Sequence, residues 1–197
     1  MCNIVYKNHE SIKNKKDLET TIEEIRKFSY SYLERYSPSK QQLRTHLFKK
    51  LVKKNQKISS KREIFNLIDS VIASLVDQKL LSDEYYSDAK SKAFLKRGYS
   101  LNKIRYSLIK KGIDEKYIKA SISKIKENES EPDFFSAIKI CKKRRIGPNR
   151  EESNRSLFYK KDISILARSG FSYEISKKVL EIPKEEYKKF CKMIWVV

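Results

Sequence analysis

The sequence has few residues that interrupt regular secondary structure and few that could cross-link a small fold. Four glycines and four prolines among 197 residues are too few for a turn-rich β-sandwich or a collagen-like segment. The three cysteines, Cys2, Cys141 and Cys191, are far apart and form no Cys-x-x-Cys or Cys/His pair. This spacing argues against a disulfide framework and a structural zinc site. Cys141 and Cys191 fall on apolar stripes, so we expect both in the core.

Long apolar runs and catalytic signatures are also missing. No run of 18 apolar residues occurs, so no transmembrane helix is expected, and the first residues lack the apolar core of a signal peptide. We therefore predict a polar, disordered lead over residues 1–16 and a cytoplasmic protein without a membrane partner. No phosphate-binding loop or hydrolase motif is present, and the only histidines are His9 and His46. These absences predict a non-enzyme with no catalytic residue, no cofactor and no metal.

Positive charge, by contrast, is abundant. The formal net charge is +20, from 45 Lys and Arg against 25 Asp and Glu. Such an excess indicates a polyanionic partner: nucleic acid, a nucleoprotein or an anionic membrane surface. A hydrophobic content of 39% nevertheless suits a folded protein rather than a disordered one.

The stretch from Leu80 to Ile118 shows a clear helical period. Gly98 and Gly112 follow its first two apolar stripes, where a left-handed helix end favours glycine, and Ser100 and Asp114 stand at the next N-caps. The stripes recur at i, i+3 and i+7: Tyr86, Ala89 and Ala93, then Leu101, Ile104 and Leu108. This pattern predicts a module of three short helices.

Similar patterns precede and follow this module. The first helix is predicted from Asp17 to Tyr36, and two Ser-x-x-Gln/Glu capping boxes, at Ser39 and Ser60, begin the next two. Pro132 suits the first turn of a later helix, and the segment KKRRIGPNREESNR (142–155) is predicted as a basic loop. Leu-x-x-x-Gly followed by an apolar residue and a cap recurs at residues 108–114 and 166–172, which indicates internal repetition.

The predicted fold is therefore all-α. We expect a tandem array of three three-helix repeats, forming an elongated, curved molecule. The repeats span residues 17–80, 81–128 and 129–182, and residues 183–197 form a C-terminal extension that Pro183 opens as an extra helix.

The clustered cations are the candidate contact residues. Cations in the last turn of a helix stabilise its negative end, which by itself explains Lys96–Arg97 and Lys110–Lys111. Four consecutive cations from Lys142 to Arg145 exceed that need and favour contact with phosphate or an acidic protein surface. The full set comprises Lys96, Arg97, Lys103, Arg105, Lys110, Lys111, Lys142, Lys143, Arg144 and Arg145.

Three segments together resemble the RecX family, whose members regulate the RecA recombinase. LLSDEYYSDAKSKAFLKRGYSLNKIRYSLIKKGI is similar to the central repeat of that family, YLERYSPSKQQLRTHLFKKL to its opening repeat and LARSGFSYEI to its closing Arg-x-Gly-Phe motif. The resemblance covers residues 20–182. One departure is that Gly98 is followed by Tyr-Ser-Leu-Asn-Lys-Ile, where the family usually has arginine, so that Lys103 is the nearest basic substitute.

This resemblance implies regulation by binding. RecX-type proteins lie in the helical groove of the RecA filament on single-stranded DNA, bridge neighbouring protomers and inhibit strand exchange and ATP hydrolysis. The implied partner is the RecA nucleoprotein filament, with direct DNA contact left open, and the implied context is recombination, DNA repair and the SOS response. We expect a monomer whose candidate cations face the filament.

An alternative from the residues alone is a basic helical DNA-binding protein that acts independently of RecA. Three short helices with a basic middle element are typical of helix-turn-helix proteins. Affinity for bare DNA, compared with affinity for RecA-coated DNA, separates the two interpretations.

Overall fold

The structure is a computed structural model that describes residues 15–54 and 61–193. Within these ranges the chain contains no β-strand, and the all-α prediction is confirmed. The chain divides between Ser82 and Asp83 into two compact units. The described helices are α1 (Lys15–Leu33), α2 (Lys40–Lys54), α3 (Lys61–Asp77), α4 (Asp83–Lys96), α5 (Leu101–Ile109), α6 (Glu115–Asn128), α7 (Pro132–Arg144), α8 (Glu152–Arg168), α9 (Tyr173–Leu180) and α10 (Lys184–Met193), with a 3₁₀ helix at Gly147–Asn149.

The first unit packs α1, α2 and α3 around one buried cluster. Leu43, Leu47 and Leu51, the predicted stripe of α2, are fully buried against Ile25 and Ile68. The α1 prediction was wrong at its end, because the helix stops at Leu33 and Tyr36 is 57% exposed. Proline cannot continue a helix and restricts the residue before it, but Leu33 lies four residues before Ser37, so Pro38 alone does not explain the early end.

The capping box that begins α2 is confirmed. The backbone N–H of Gln42 donates to Ser39 Oγ at 3.2 Å, and the backbone N–H of Ser39 donates to Gln42 Oε1 at 3.1 Å. This reciprocal pair satisfies two donors that a helix start leaves free. The second predicted capping residue, Ser60, lies outside the described residues, as do Cys2, His9 and the first 14 residues.

The second unit begins with α4, α5 and α6, which enclose their own buried cluster. Ile104, Leu108 and Ile118 are fully buried there. Gly98 and Gly112 adopt left-handed φ angles of 82° and 74°, as predicted from their positions after two stripes. Ser100 caps α5 by accepting a hydrogen bond from the backbone of Lys103, whereas the side chain of Asp114 makes no cap bond to α6.

The predicted stripe of α4 was partly wrong. Ala89 is exposed, and the buried positions next to Tyr86 are held by Ser87 and Ser91. The hydroxyl of Ser121 in α6 donates to Ser87 Oγ at 2.8 Å, so these small polar side chains lie between the two helices. Apolar periodicity does not indicate such positions, because serine is a polar residue and is usually exposed.

The same unit continues with α7 to α10 around another buried cluster. Pro132 occupies the first turn of α7 as predicted, and Phe134, Ile138 and Cys141 face inward. Burial raises the pKa of the Cys141 thiol to about 12, and Cys191 is half-buried. The predicted C-terminal helix is present as α10. The repeat boundaries at residues 81 and 129 stay a prediction.

Candidate nucleoprotein interface

Lys96 and Arg97 lie where α4 meets α7. Both side chains are exposed at the end of α4, and Gly98 directly follows them. A Cβ atom added at Gly98 would lie 3.1 Å from Lys139 Cβ and 3.3 Å from the carbonyl oxygen of Ser136. The absence of a side chain at residue 98 therefore lets the α4–α5 turn approach α7 closely, and it places the two cations at this joint.

Lys103 lies close to this turn, at the point where the start of α5 contacts the end of α8. The hydroxyl of Ser100 donates to the carbonyl oxygen of Ser169 at 3.0 Å and accepts from the backbone N–H of Lys103 at 3.1 Å. A Cβ atom at Gly170 would lie 3.4 Å from Lys103 Cβ. The Lys103 ammonium lies 4.4 Å from the centroid of the Tyr99 ring, a distance typical of a cation–π contact.

A carboxylate from α7 closes the joint. The backbone N–H of Leu101 donates to Asp133 Oδ1 at 2.8 Å. Burial raises the pKa of Asp133, and the hydrogen bond from Leu101 partly opposes that rise. We call this set of contacts (Gly98, Ser100, Leu101, Asp133, Ser169 and Gly170) the α5 joint.

The remaining α5 candidates lie further along the helix. Arg105 Nε donates to Glu115 Oε1 at 2.8 Å, and this hydrogen bond raises the pKa of the guanidinium. Lys110 and Lys111 are exposed just beyond the C-terminal end of α5, about 10–12 Å from Lys103 along the helix axis at a rise of 1.5 Å per residue. Because cations stabilise the negative end of a helix dipole, the position of these two lysines after α5 is explained without a binding role.

The segment predicted as a basic loop is mostly helical, so that prediction was wrong. Lys142, Lys143 and Arg144 form the last turn of α7, and Arg145 caps it with a left-handed φ of 54°. All four side chains are exposed. Cations favour the negative end of a helix, which lets α7 continue through the first three residues of this run until the left-handed Arg145 ends it.

Two other arginines of that segment have structural roles. Arg150 donates from Nε and a terminal nitrogen to the two carboxylate oxygens of Asp162, at 2.7 and 2.8 Å. Asp162 is buried and also accepts from the backbone N–H of Gly147 at 2.9 Å. Arg155 donates to the backbone carbonyls of Leu180 and Ile182. These contacts hold α8 against the 3₁₀ helix and the end of α9.

The structure thus brings some candidates together and separates others. Lys96, Arg97 and Lys103 lie next to the α5 joint, whereas Lys110–Lys111 and Lys142–Arg145 mark the ends of two different helices. Arg168, absent from the predicted set, is exposed at the end of α8 directly before Ser169 of the joint. Its position before Ser-Gly, like that of Arg97 before Gly98, is the sequence signal that could have identified it.

Other kinds of site find little support in the described part of the chain. No group of three or more His, Cys, Asp or Glu residues there is arranged to hold a metal ion. The His46 ring stacks on Tyr32 with centroids 4.0 Å apart, and burial, followed by the charge of Lys50, lowers its pKa. None of the described helices is both long and apolar enough to cross a membrane.

Comparison with known proteins identifies relatives of the chain. No family model matches it. A protein of Myxococcus xanthus (strain DK1622) described as Regulatory protein RecX is 31% identical over 153 residues, which cover 76% of this chain and 80% of the relative. A protein with the same description from Clostridium perfringens (strain SM101 / Type A) is 29% identical over 61% of this chain and 55% of its own length.

Solved structures show the same fold. The crystal structure of RecX from Lactobacillus salivarius matches with a TM-score of 0.59 and 16% identity, over 87% of this chain and 99% of that one. A crystal structure of regulatory protein RecX matches with a TM-score of 0.61 and 18% identity, over 87% of this chain and 80% of that one. The all-α fold is thus shared with these structures, and, on the identity to the Myxococcus protein, the chain belongs to the RecX family of regulatory proteins.

Proposed function

We propose that this protein binds the RecA filament on single-stranded DNA, in its helical groove, and modulates RecA, mainly by inhibiting its ATPase and recombinase activities. Family membership implies regulation of RecA. What we propose beyond it is the mode of binding and the inhibitory direction of the effect. On this proposal the protein acts in the cytoplasm as a monomer, without catalysis of its own.

The observation that carries the binding mode is a set of exposed cations that form no ion pair within the described residues. They lie at the ends of α4, α5 and α7, all in the second unit: Lys96, Arg97, Lys110, Lys143, Arg144 and Arg145. Cations without internal partners attract a polyanion at little desolvation cost, and a nucleoprotein filament presents phosphate and acidic side chains.

Inhibition of RecA ATPase on single-stranded DNA tests this proposal. Changing Lys142, Lys143, Arg144 and Arg145 together to alanine is expected to raise the concentration for half-maximal inhibition about tenfold. The slope of log affinity against log salt should also fall by about 0.7 for each phosphate that the variant no longer neutralises. A matched control removes four exposed lysines outside the candidate set: Lys119, Lys160, Lys189 and Lys192.

Comparison of the two variants distinguishes a specific role of the end of α7 from a general effect of net charge. Equal inhibition by the wild type and the Lys142–Arg145 variant would exclude a role for the end of α7. Equal weakening by both quadruple variants would mean that net charge, rather than this site, governs binding.

A second candidate function is DNA binding without RecA. The observation that favours it is the four-residue turn with Gly98 between α4 and α5, followed by a helix with Asn102 and Arg105 exposed. This arrangement is typical of a helix-turn-helix. Comparable affinity for bare and RecA-coated DNA would favour this function over the first.

A further inference from the structure

The outer face of α5 has an unusual composition for a surface helix. Its inner face is complete, because Ile104 and Leu108 are fully buried, yet Tyr106 and Ile109 remain 67% and 45% exposed. They stand three residues apart, which makes them neighbours on one helix face. Among the helix side chains whose exposure the structure describes, two exposed large hydrophobic residues occur together on one helix only in α5.

Charged groups surround this apolar pair. Lys110 follows it at the end of the helix, and Arg105 precedes it, held by its hydrogen bond to Glu115. Within the described residues the Tyr106 hydroxyl makes no hydrogen bond. An apolar centre of Tyr and Ile with a charged rim is the composition of a protein-binding hot spot, in which Tyr and Arg are enriched.

We infer that the outer face of α5, centred on Tyr106 and Ile109 and flanked by Arg105 and Lys110, docks on an acidic protein surface that offers an apolar pocket. This inference rests on the proposed function and deepens it. It assigns the face to the protein component of the filament, RecA, rather than to its DNA.

Two features favour protein over nucleic acid as the occupant. Single-stranded nucleic acid is bound by aromatic platforms along a cationic groove, and Ile109 provides no such platform. In addition, the Glu115 carboxylate, whose side chain is 37% exposed, pairs with Arg105 and partly neutralises its charge. This weakens binding to a phosphate backbone, which depends on net positive charge, more than it weakens a protein contact whose centre is apolar. The same carboxylate holds the guanidinium in place at the rim of a protein contact.

Binding measurements on three variants of the full chain test the inference. The pair Tyr106→Ala with Ile109→Ala removes the apolar centre, and Tyr106→Phe with Ile109→Leu keeps it. The matched control, Leu157→Ala with Tyr173→Ala, removes one aliphatic and one tyrosine side chain that are 75% and 64% exposed on α8 and α9. Each variant is titrated against RecA filaments on a labelled single strand and against the same bare strand.

We expect the Tyr106/Ile109 alanine pair to weaken filament binding at least about tenfold, as truncation of a hot spot does, and to change bare-strand binding less than about twofold. The conservative pair and the control pair should bind filaments like the wild type. Since the changed side chains are exposed, thermal unfolding should not shift.

Other outcomes overturn the inference. Unchanged filament binding by the alanine pair would show that α5 does not anchor the protein. An equal loss on bare and coated strands would assign the face to DNA. If the wild type itself fails to prefer filaments over the bare strand, the proposed function fails, and that result is independent of any variant.

Discussion

The hydroxyl of Ser100 lies 3.0 Å from the carbonyl oxygen of Ser169, although 69 residues separate them in the chain. One side chain therefore both caps α5 and connects it with the end of α8. Because one hydroxyl makes both contacts, a substitution at residue 100 removes the helix cap and the long-range hydrogen bond together.

Replacing Gly170 with alanine is expected to destabilise the second unit. Its φ is 88°, and a Cβ there would lie 2.5 Å from Ser100 Oγ. The left-handed conformation alone costs about 1 kcal/mol, and the clash adds to it. The free energy of unfolding in urea measures the sum, with Gly112→Ala as control, because Gly112 shares the positive φ (74°) but is exposed.

A double variant isolates the clash. In a Ser100→Ala background the obstructing oxygen is gone, so Gly170→Ala should cost no more than Gly112→Ala. Additive costs of the two single changes would contradict the close approach, because independent sites add and neighbours do not.

Ser100→Ala is expected to cost more than Ser172→Ala. Both serines are N-caps that accept a backbone hydrogen bond, at 3.1 Å for Ser100 and 3.2 Å for Ser172, and loss of such a cap costs about 1 kcal/mol. Ser100→Ala also leaves the Ser169 carbonyl without its donor, which adds about 1 kcal/mol. Equal unfolding free energies for the two variants would show that the long-range bond contributes nothing.

Asp162→Asn is expected to lower the free energy of unfolding by about 2–3 kcal/mol, because it breaks a paired, buried carboxylate. Asp69→Asn is the control, since Asp69 also accepts two hydrogen bonds from one arginine, Arg44, but its side chain is 48% exposed. That change should cost less than about 1 kcal/mol. Similar losses for both would mean that burial of Asp162 has no energetic consequence.

His46 is expected to make the first unit more stable as the pH rises. Its pKa is lowered by burial and by Lys50, so between that value and the ordinary value of about 6.5 the unfolded chain binds more protons than the folded one. Stability should rise through this window and level off above it. Urea unfolding measured at a series of pH values should show this slope in the wild type and not in His46→Gln.

Local sequence features predicted much of this fold because they act over a few residues. Gly98, Gly112 and Ser39 have the conformations or bonds that their positions indicate, since helix ends depend on neighbouring donors and acceptors. The burial of Ser87 was missed because it depends on Ser121 of α6, 34 residues away in the chain. Likewise, no residue next to Arg150 in the sequence indicated its ion pair with Asp162, which lies 12 residues away. That ion pair distinguishes Arg150, a structural arginine, from the candidate contact residues.

Phe190 of α10 packs edge-on against Phe134 and Phe135 of α7, with ring centroids 5.4 and 6.1 Å apart. Fragments that end before Lys184 would expose those two aromatic rings to water, together with the contact surface of the buried Tyr187. An uncovered aromatic patch of this kind promotes self-association. Truncation at the boundary suggested by family resemblance, near residue 182, would therefore yield an aggregating protein, and the last helix sets the shortest fragment suitable for experiments in solution.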